Sequence, residues 1–349
     1  MAFGTLMTLD AIASTQQTIA ELGEDMIWAS IEAELAAHNA IMNEMLDELV
    51  ERSTDRLRRF GGSSQMSMDE LDELGTPDAE KITAGVNVAF PLKRYGRSLQ
   101  WTRNYFLVAT GEEFAKQILG IQEADRLNVE KRIKEAFFFP TNYTTLDRLV
   151  DYVSLDVKRL LNADGMVIPP GPNGEAFVGA SHTHYLATAS FIAANLTSLI
   201  DTVVEHYGTG SIRVCINKAQ EAAVRGFTGF TAYVDSRLIN PPGGTAFQSD
   251  RPLDLINVGN RAIGVYGAAE IWVKPWIPAS YVMAYNMTAP KPLVMRTRAA
   301  TANLQLEFDD ERHPLRARGY FREFGIGVWQ RINGAALYTG GGAYVAPTL

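Results

Sequence analysis

Cysteine is almost missing from this sequence: Cys215 is the only one among 349 residues. A disulfide framework within the chain is therefore excluded, and this composition is typical of a chain made in a reducing compartment. Because Cys215 lies in the strand-like run SIRVCIN, we expect a small buried hydrophobic residue and not a nucleophile.

Long apolar runs and excess positive charge are also absent. No stretch approaches the roughly 20 apolar residues that cross a bilayer, and the first residues, MAFGTLMTLDAIA, lack the basic start of a secretory signal. The net charge is -8, from 32 Lys and Arg against 40 Asp and Glu. We therefore expect no membrane insertion and no direct recognition of nucleic acid.

The familiar catalytic and phosphate-binding motifs do not occur. The run REFGIGVW has only a G-x-G inside a predicted strand, without a third glycine or a following helix, and GGGAY fails for the same reason. The acidic set Asp309-Asp310-Glu311 is more easily a solvated turn than a catalytic group. We predict that the protein is not an enzyme and has no catalytic residue, metal or cofactor.

The most reactive stretch that is present is GASHTHYLA, which contains His182 and His184. Residues two apart on a strand share a face, so both imidazoles could bind one ion. A zinc site needs further ligands, and His206, beside Glu205, is the only plausible completion. Without an H-E-x-x-H spacing or a cysteine pair, we favour a hydrogen-bonded histidine pair beside a loop.

The pattern of elements predicts an α+β fold, since helices come first and strands dominate later. A long helix is predicted from Thr15 to Arg59; it could be an arm on a neighbour, a coiled-coil stalk or the first core helix. Residues 56–106 read as two strands joined by a polar excursion, a hairpin that cannot be stable alone. Thr110 and Glu113 form a capping-box pattern that starts a helix of about 30 residues.

Further along, the pattern predicts a helix for TTLDRLVDYVSLDVKRLL, at residues 144–161. It then predicts the helix NLTSLIDTVVEHYG, the strand SIRVCIN, helical KAQEAAVRGF and strands around Val265, Ile271 and Val273. Asn333-Gly334 predicts a type I′ hairpin turn.

Four segments carry a resemblance to a known family. They are FPLKRYGRSLQWTRNYF, TGEEFAKQILGIQEADRLNVEKRIKEAF, RAIGVYGAAEIWVKPWIPASYVMAYN and HPLRARGYFREFGIGVWQRINGAALYTGGGAYVAP. Their text and order resemble the major capsid proteins of tailed phages with the Hong Kong 97-type fold, over most of the chain.

The resemblance implies a division of the chain. Residues 1–55 would be an N-terminal helical arm and 56–108 an extended β-hairpin loop. Residues 109–194 would belong to a peripheral domain whose spine helix covers 110–139. Residues 195–290 would form the axial domain, and 291–349 would be strands that return to the peripheral domain. His182 and His184 would then lie where the two domains meet.

The implied function is self-assembly, as pentamers and hexamers, into an icosahedral shell that encloses double-stranded DNA. Its partners would be copies of itself, together with portal, scaffolding and decoration proteins, in a virion made in the host cytoplasm. Glycines that could act as hinges are Gly61-Gly62 and Gly96, which could equally be ordinary turn residues. A modestly acidic chain suits a container that must not hold DNA tightly.

Two family features are not expected here. Lys81 and Lys93 lie in the region where some members form an isopeptide cross-link, but no matching asparagine or glutamate is found. Because the sequence starts at Met1, we expect an uncleaved arm, with scaffolding by a separate protein or by none.

Other functions remain as alternatives. An encapsulin-type compartment uses the same fold to hold cargo enzymes, a metal-dependent enzyme could be centred on His182, His184 and His206, and an adaptor could dimerise through its N-terminal helix.

Overall fold

The computed structural model describes residues 8–61, 85–208, 210–233 and 260–349, with a few single positions between 68 and 75. In these residues the α-helices are α1 (Leu9–Ala13), α2 (Ile19–Leu22), α3 (Glu24–Asp47), α4 (Tyr105–Val108), α5 (Gly111–Phe138), α6 (Ala193–Tyr207) and α7 (Glu221–Arg225). The strands are β1 (Val50–Ser53), β2 (Leu57–Phe60), β3 (Val86–Ala89), β4 (Lys93–Thr102), β5 (Tyr143–Leu146), β6 (Ser154–Val157), β7 (Tyr185–Ala187), β8 (Ile212–Ile216), β9 (Phe230–Ala232), β10 (Arg261–Tyr266), β11 (Ala269–Val273), β12 (Tyr281–Asn286), β13 (Leu293–Thr297), β14 (Gln305–Arg312), β15 (Leu315–Val328) and β16 (Ala335–Tyr338). The expected α+β class is confirmed.

Two sheets organise the described residues. The five-stranded sheet has the order β1-β13-β15-β14, and β4 pairs with β15 over ten residues. The seven-stranded sheet has the order β7-β16-β12-β8-β11-β10-β9. Two small hairpin-like pairs, β2-β3 and β5-β6, stand apart from these sheets.

The main core lies between both sheets and the two long helices. One buried cluster joins Met42 of α3, Ile133 of α5, Ile326 of the five-stranded sheet and Met283 of the seven-stranded sheet. A second cluster packs α6 on the seven-stranded sheet, for example Leu199 against that sheet. The shared first cluster makes the two sheets parts of a single packed body.

Helix α5 is the predicted long helix and begins where the sequence indicated. The Thr110 side chain accepts a hydrogen bond from the Glu113 backbone N–H at 3.3 Å, which satisfies one free donor of the first turn. With 28 residues the helix is about 42 Å long at 1.5 Å per residue. It therefore reaches from the aromatic cluster around Trp101 and Phe114 to the main core.

The predicted continuous helix over Thr15–Arg59 is wrong. Gly23, at a φ of 87°, separates α2 from α3, and the chain leaves the helix at Asp47 to form β1, which pairs in parallel with β13. Ile27, Ile31 and Leu46 are buried within the same chain. Among the three alternatives, the core helix is the one that α3 fits, since its apolar face is buried within the chain itself.

The predicted helix at residues 144–161 is also wrong, because this segment is the antiparallel pair β5-β6. Asp147, the first residue after β5, has a fully buried side chain that accepts a hydrogen bond from the Arg296 guanidinium at 2.9 Å. Asp147 also anchors the turn by its backbone, since its carbonyl accepts the Tyr152 N–H at 3.0 Å. This tertiary pairing overrides a sequence periodicity that suited a helix.

The hairpin predicted at Asn333-Gly334 does not form. The strands on either side, β15 and β16, belong to different sheets. The buried Asn333 side chain instead spans to Asn286, accepting from its N–H at 2.8 Å and donating to its carbonyl at 3.0 Å. Asn333 and Gly334 therefore lie where the chain crosses from the five-stranded sheet to the seven-stranded sheet.

Other predicted elements are confirmed: α6, β8, α7 and the strands that contain Val265, Ile271 and Val273. The strand predicted before the polar excursion is β2, and the segment predicted as the strand after it is divided into β3 and β4. Most residues from 62 to 84 lie outside the described residues. Across the described part of the chain, no helix is both long and apolar enough to traverse a lipid bilayer.

We expect Asp147→Ala to lower the free energy of unfolding by about 3–5 kcal/mol, because Arg296 would remain buried without its counter-charge. Urea denaturation of the purified chain measures this difference. The control is Asp151→Ala, whose carboxylate is 44% exposed and pairs with Arg56, and which should cost at most about 1 kcal/mol. An equal loss of unfolding free energy for the two substitutions would contradict the conclusion that Asp147 and Arg296 form a buried ion pair.

Candidate functional site

Three histidines and one carboxylate meet at one edge of the seven-stranded sheet. The Nε2 atoms of His182, His184 and His206 lie 3.2, 3.1 and 3.0 Å apart in the three pairwise distances. Glu205 Oε1 lies 3.4 Å from His182 Nε2 and 3.8 Å from His206 Nε2. We call these four residues the histidine cluster; within the described residues they are the one group whose donor atoms converge as metal ligands would.

The loop before β7 brings His182 and His184 to the same side. Ala163 N–H donates to the His182 carbonyl at 3.0 Å, and His184 N–H donates to the Leu161 carbonyl at 2.8 Å. This short ladder holds the segment extended, so alternate side chains share a face. The sequence expectation that the two imidazoles point together is confirmed.

A glycine permits the approach of this loop. A Cβ at Gly179 would lie 2.0 Å from the Met166 carbonyl oxygen, and the Gly179 carbonyl accepts the Gly165 N–H at 3.1 Å. Any larger residue would separate the two segments, so Gly179 is required for the position of His182.

The third imidazole and the carboxylate come from the last turn of α6. Buried apolar residues such as Leu199 and Val203 fix this helix on the sheet, and His206 then points inward while Glu205 remains partly exposed. The Phe177 ring covers the cluster, with its centroid 4.9 Å from that of His182 and 4.3 Å from that of His206.

The hydrogen-bond partner of His184 Nδ1 determines the tautomer of this imidazole. Nδ1 lies 2.6 Å from the carbonyl oxygen of Gly334 and must donate to it, so the neutral ring directs the Nε2 lone pair at the other two imidazoles. The Nδ1 atom of His206 is buried without a hydrogen-bond partner.

Burial keeps the cluster uncharged. Desolvation lowers the pKa of His206 to about 3, with a smaller contribution from His182, and it also lowers the pKa values of His182 and His184. Desolvation, followed by repulsion from Asp201, raises the pKa of Glu205 to about 7. At neutral pH the imidazoles are therefore neutral bases with free lone pairs and make no ion pair with Glu205.

The other histidines take no part in this cluster. His38 contacts Asp125 at 3.1 Å, and Asp125 is also paired with the buried Arg322. His313 is exposed in the turn between β14 and β15.

The hinge candidates are placed differently from one another. Gly61 ends β2 at a φ of 74°, as a turn or hinge residue would, while Gly62 lies outside the described residues. Gly96 is inside β4 opposite Phe321, and a Cβ there would lie 2.9 Å from the Tyr320 carbonyl oxygen. Gly96 is thus a packing position in a paired strand.

The remaining sequence candidates lack the features of a reactive site. Lys81 lies outside the described residues, and Lys93 is exposed at the start of β4. Asp309 lies in strand β14 and not in the expected turn, and it accepts hydrogen bonds from Arg316 and Arg318. The G-x-G of REFGIGVW is inside β15, as predicted.

Sequence patterns missed the buried charged residues around the cluster. Arg331 is fully buried and donates from Nη2 to Asp164 Oδ2 at 3.0 Å. Its neighbours are backbone carbonyls from a distant loop, and a contact between segments about 170 residues apart leaves no local signal.

No protein-family model matches the chain, and no curated protein matches it. Among solved structures, a chain in the structure of Mycobacterium phage Patience matches with a TM-score of 0.66 and 21% identity, covering 99% of this chain and 96% of that chain. The capsid of a native GTA particle matches with a TM-score of 0.45 and 13% identity over 85% of this chain and 90% of that chain. An encapsulin complex from Synechococcus elongatus matches with a TM-score of 0.40 and 9% identity over 84% and 86%.

The phage match therefore shows a shared fold over nearly the whole of both chains.

We predict that Cys215 does not react in the native protein. The side chain is buried in β8, and desolvation raises the pKa of its thiol to about 12, so the thiolate is scarce at pH 8. A colorimetric thiol reagent at pH 8 should detect no cysteine over minutes in the native chain and one per chain in guanidinium chloride. Equal rates in both conditions would contradict this placement.

Proposed function

We propose that the protein is a major capsid protein, which assembles from many copies into the closed shell of a tailed phage. The observation that carries this proposal is the fold shared with the phage chain at 99% and 96% coverage. In support, the shared fold extends over almost the whole of both chains.

The domain roles follow from the same proposal. The peripheral domain consists of residues 109–194 and the returning strands of 291–349, and its spine helix covers 110–139. The axial domain, near the centres of hexamers and pentamers, consists of residues 195–290. The extended loop consists of residues 56–108. In support, α5 runs along the five-stranded sheet, while α6 packs on the seven-stranded sheet.

Residues 1–55 act as the N-terminal arm in this proposal. Helix α3 and strand β1, which belong to this segment, also pack in the core of the same chain. Their contribution to assembly is therefore through their exposed face, such as Ile41, which is 66% exposed in α3.

Exposed apolar side chains offer surfaces for neighbouring copies. The turn between β5 and β6 presents Leu146, Val150, Tyr152 and Val153, all 47–67% exposed, within eight residues. A cluster of this kind is costly on an isolated chain and marks a contact site. In a shell, contacts that are individually weak become jointly strong through repetition.

The content of the shell separates the two candidate containers. A phage shell would enclose double-stranded DNA. It would also contact a portal and scaffolding or decoration proteins. An encapsulin-type shell would instead hold cargo enzymes. The phage function is favoured because the fold match at a TM-score of 0.66 is to a phage structure.

Electron microscopy and light scattering of the purified chain test the proposal. We expect uniform closed particles of megadalton mass, either alone or after coexpression with the neighbouring phage genes. Nucleic acid inside particles from infected cells would support the phage shell, and a protein cargo would support the encapsulin. A monomer or dimer under all these conditions would refute both.

We expect Tyr152→Asn to reduce particle yield without weakening the subunit. The Tyr152 backbone has a φ of 60°, a conformation that asparagine adopts more easily than tyrosine, and the ring is 67% exposed. Particle yield by sedimentation and subunit stability by urea denaturation measure the two effects. Normal particle yield would show that this turn is not an assembly contact.

A further inference from the structure

We propose that the histidine cluster binds one divalent late first-row transition-metal ion, such as Zn²⁺, through His182, His184, His206 and Glu205. The ion would be structural and would join the loop before β7 to the end of α6. This inference is independent of the proposed shell function, since it rests only on the four side chains and their surroundings.

The spacing of the nitrogens fits such an ion. Zinc–nitrogen bonds of about 2.0–2.1 Å in a tetrahedron separate the ligand atoms by about 3.3–3.4 Å. The three Nε2–Nε2 distances are 3.0, 3.1 and 3.2 Å, within a few tenths of an ångström of that edge. Glu205 Oε1 lies 3.4 Å from His182 Nε2 and 3.8 Å from His206 Nε2, so a small movement of this partly exposed side chain would bring it to the fourth position.

Hydrogen bonds among the three imidazoles cannot account for all three close Nε2–Nε2 contacts. An imidazole nitrogen carries either one hydrogen or one lone pair, and His184 Nε2 carries a lone pair because its Nδ1–H is bound to Gly334 O. If His182 and His206 both carried a hydrogen on Nε2, the two would compete for the one lone pair of His184 and face each other across 3.1 Å. Only one of the three close contacts can then be a good hydrogen bond. A cation satisfies all three lone pairs at once.

The surroundings also have the form of a metal site. The bond from His184 Nδ1 to a backbone carbonyl is the kind of outer contact that orients a ligand imidazole. The His184 and His206 side chains are buried, whereas His182 and Glu205 are 17% and 36% exposed. An ion can therefore enter from the solvent side and be held by the buried rings.

The number of ligands favours a structural role over catalysis. Three imidazoles and one carboxylate fill the four positions of a tetrahedral ion, which leaves no open position for water or substrate. The donor set of nitrogen and oxygen suits zinc and similar ions more than calcium or magnesium, which prefer oxygen alone.

The test uses the full-length chain without an affinity tag, stripped with a chelator and then supplied with Zn²⁺ or Co²⁺. We expect one tightly bound Zn²⁺ per chain by elemental analysis after gel filtration, and a higher unfolding temperature than for the stripped chain. The Co²⁺ form should show the intense visible bands of tetrahedral coordination.

Two variants and a control locate the ion. His182→Gln and Glu205→Gln change the two partly exposed ligands and should weaken Zn²⁺ binding by about 10-fold or more, with the Co²⁺ bands lost or shifted. His313→Gln, at an exposed histidine outside the cluster, should bind as the unmodified chain does. Circular dichroism of the metal-free variants checks that each folds.

Two outcomes would overturn the proposal. One is an unmodified chain that retains far less than one Zn²⁺ per chain and shows no change in unfolding temperature. The other is His182→Gln and Glu205→Gln chains that bind Zn²⁺ as tightly as His313→Gln, since the ion would then be held elsewhere. If a variant fails to fold, stoichiometry and the Co²⁺ spectrum of the unmodified chain decide the question.

Discussion

The rest of this structure depends on one buried guanidinium, that of Arg331. It lies in the crossover from β15 to β16 and donates to the carbonyl oxygens of Arg159 and Leu160 at 2.5 and 3.3 Å, and to Asn162 Oδ1 and Asp164 Oδ2 at 3.0 Å each. A fully buried charge is stable only when its donors are satisfied in this way. Arg331 therefore fastens the 159–164 loop to the point where the chain changes sheets.

Two further contacts extend this attachment to the functional site. The Leu161 carbonyl accepts the His184 N–H, and the Gly334 carbonyl accepts from His184 Nδ1. Hydrogen bonds from His184 thus connect the histidine cluster both to the 159–164 loop and to the crossover. A proposed metal ion would add a link to α6 at the same junction, where the two sheets meet, and would stiffen the subunit without altering its outer surfaces.

The errors of the sequence predictions have a common cause. Residues 144–161 have helical periodicity, but Asp147 is taken into a buried pair with Arg296, and the segment forms two strands. Asn333-Gly334 has the composition of a hairpin turn, but its flanking strands join different sheets. In both cases a long-range contact that local composition does not encode outweighs a modest local preference.

The sequence by itself determined the α+β class, the long helix after Thr110, helix α6 and strand β8, because apolar periodicity, capping residues and element order are local properties of the chain. The sequence also named the four residues of the histidine cluster, but only as the members of a metal site that its motifs did not favour over a hydrogen-bonded histidine pair. Only the tertiary structure decided that they converge, because packing brings His206 Nε2 to 3.0 and 3.1 Å from imidazoles that are 22 and 24 residues away in the chain. It also decided that α3 is a core helix, because its apolar residues pack against strands and a helix from distant parts of the chain. Packing of that kind is a property of the whole core.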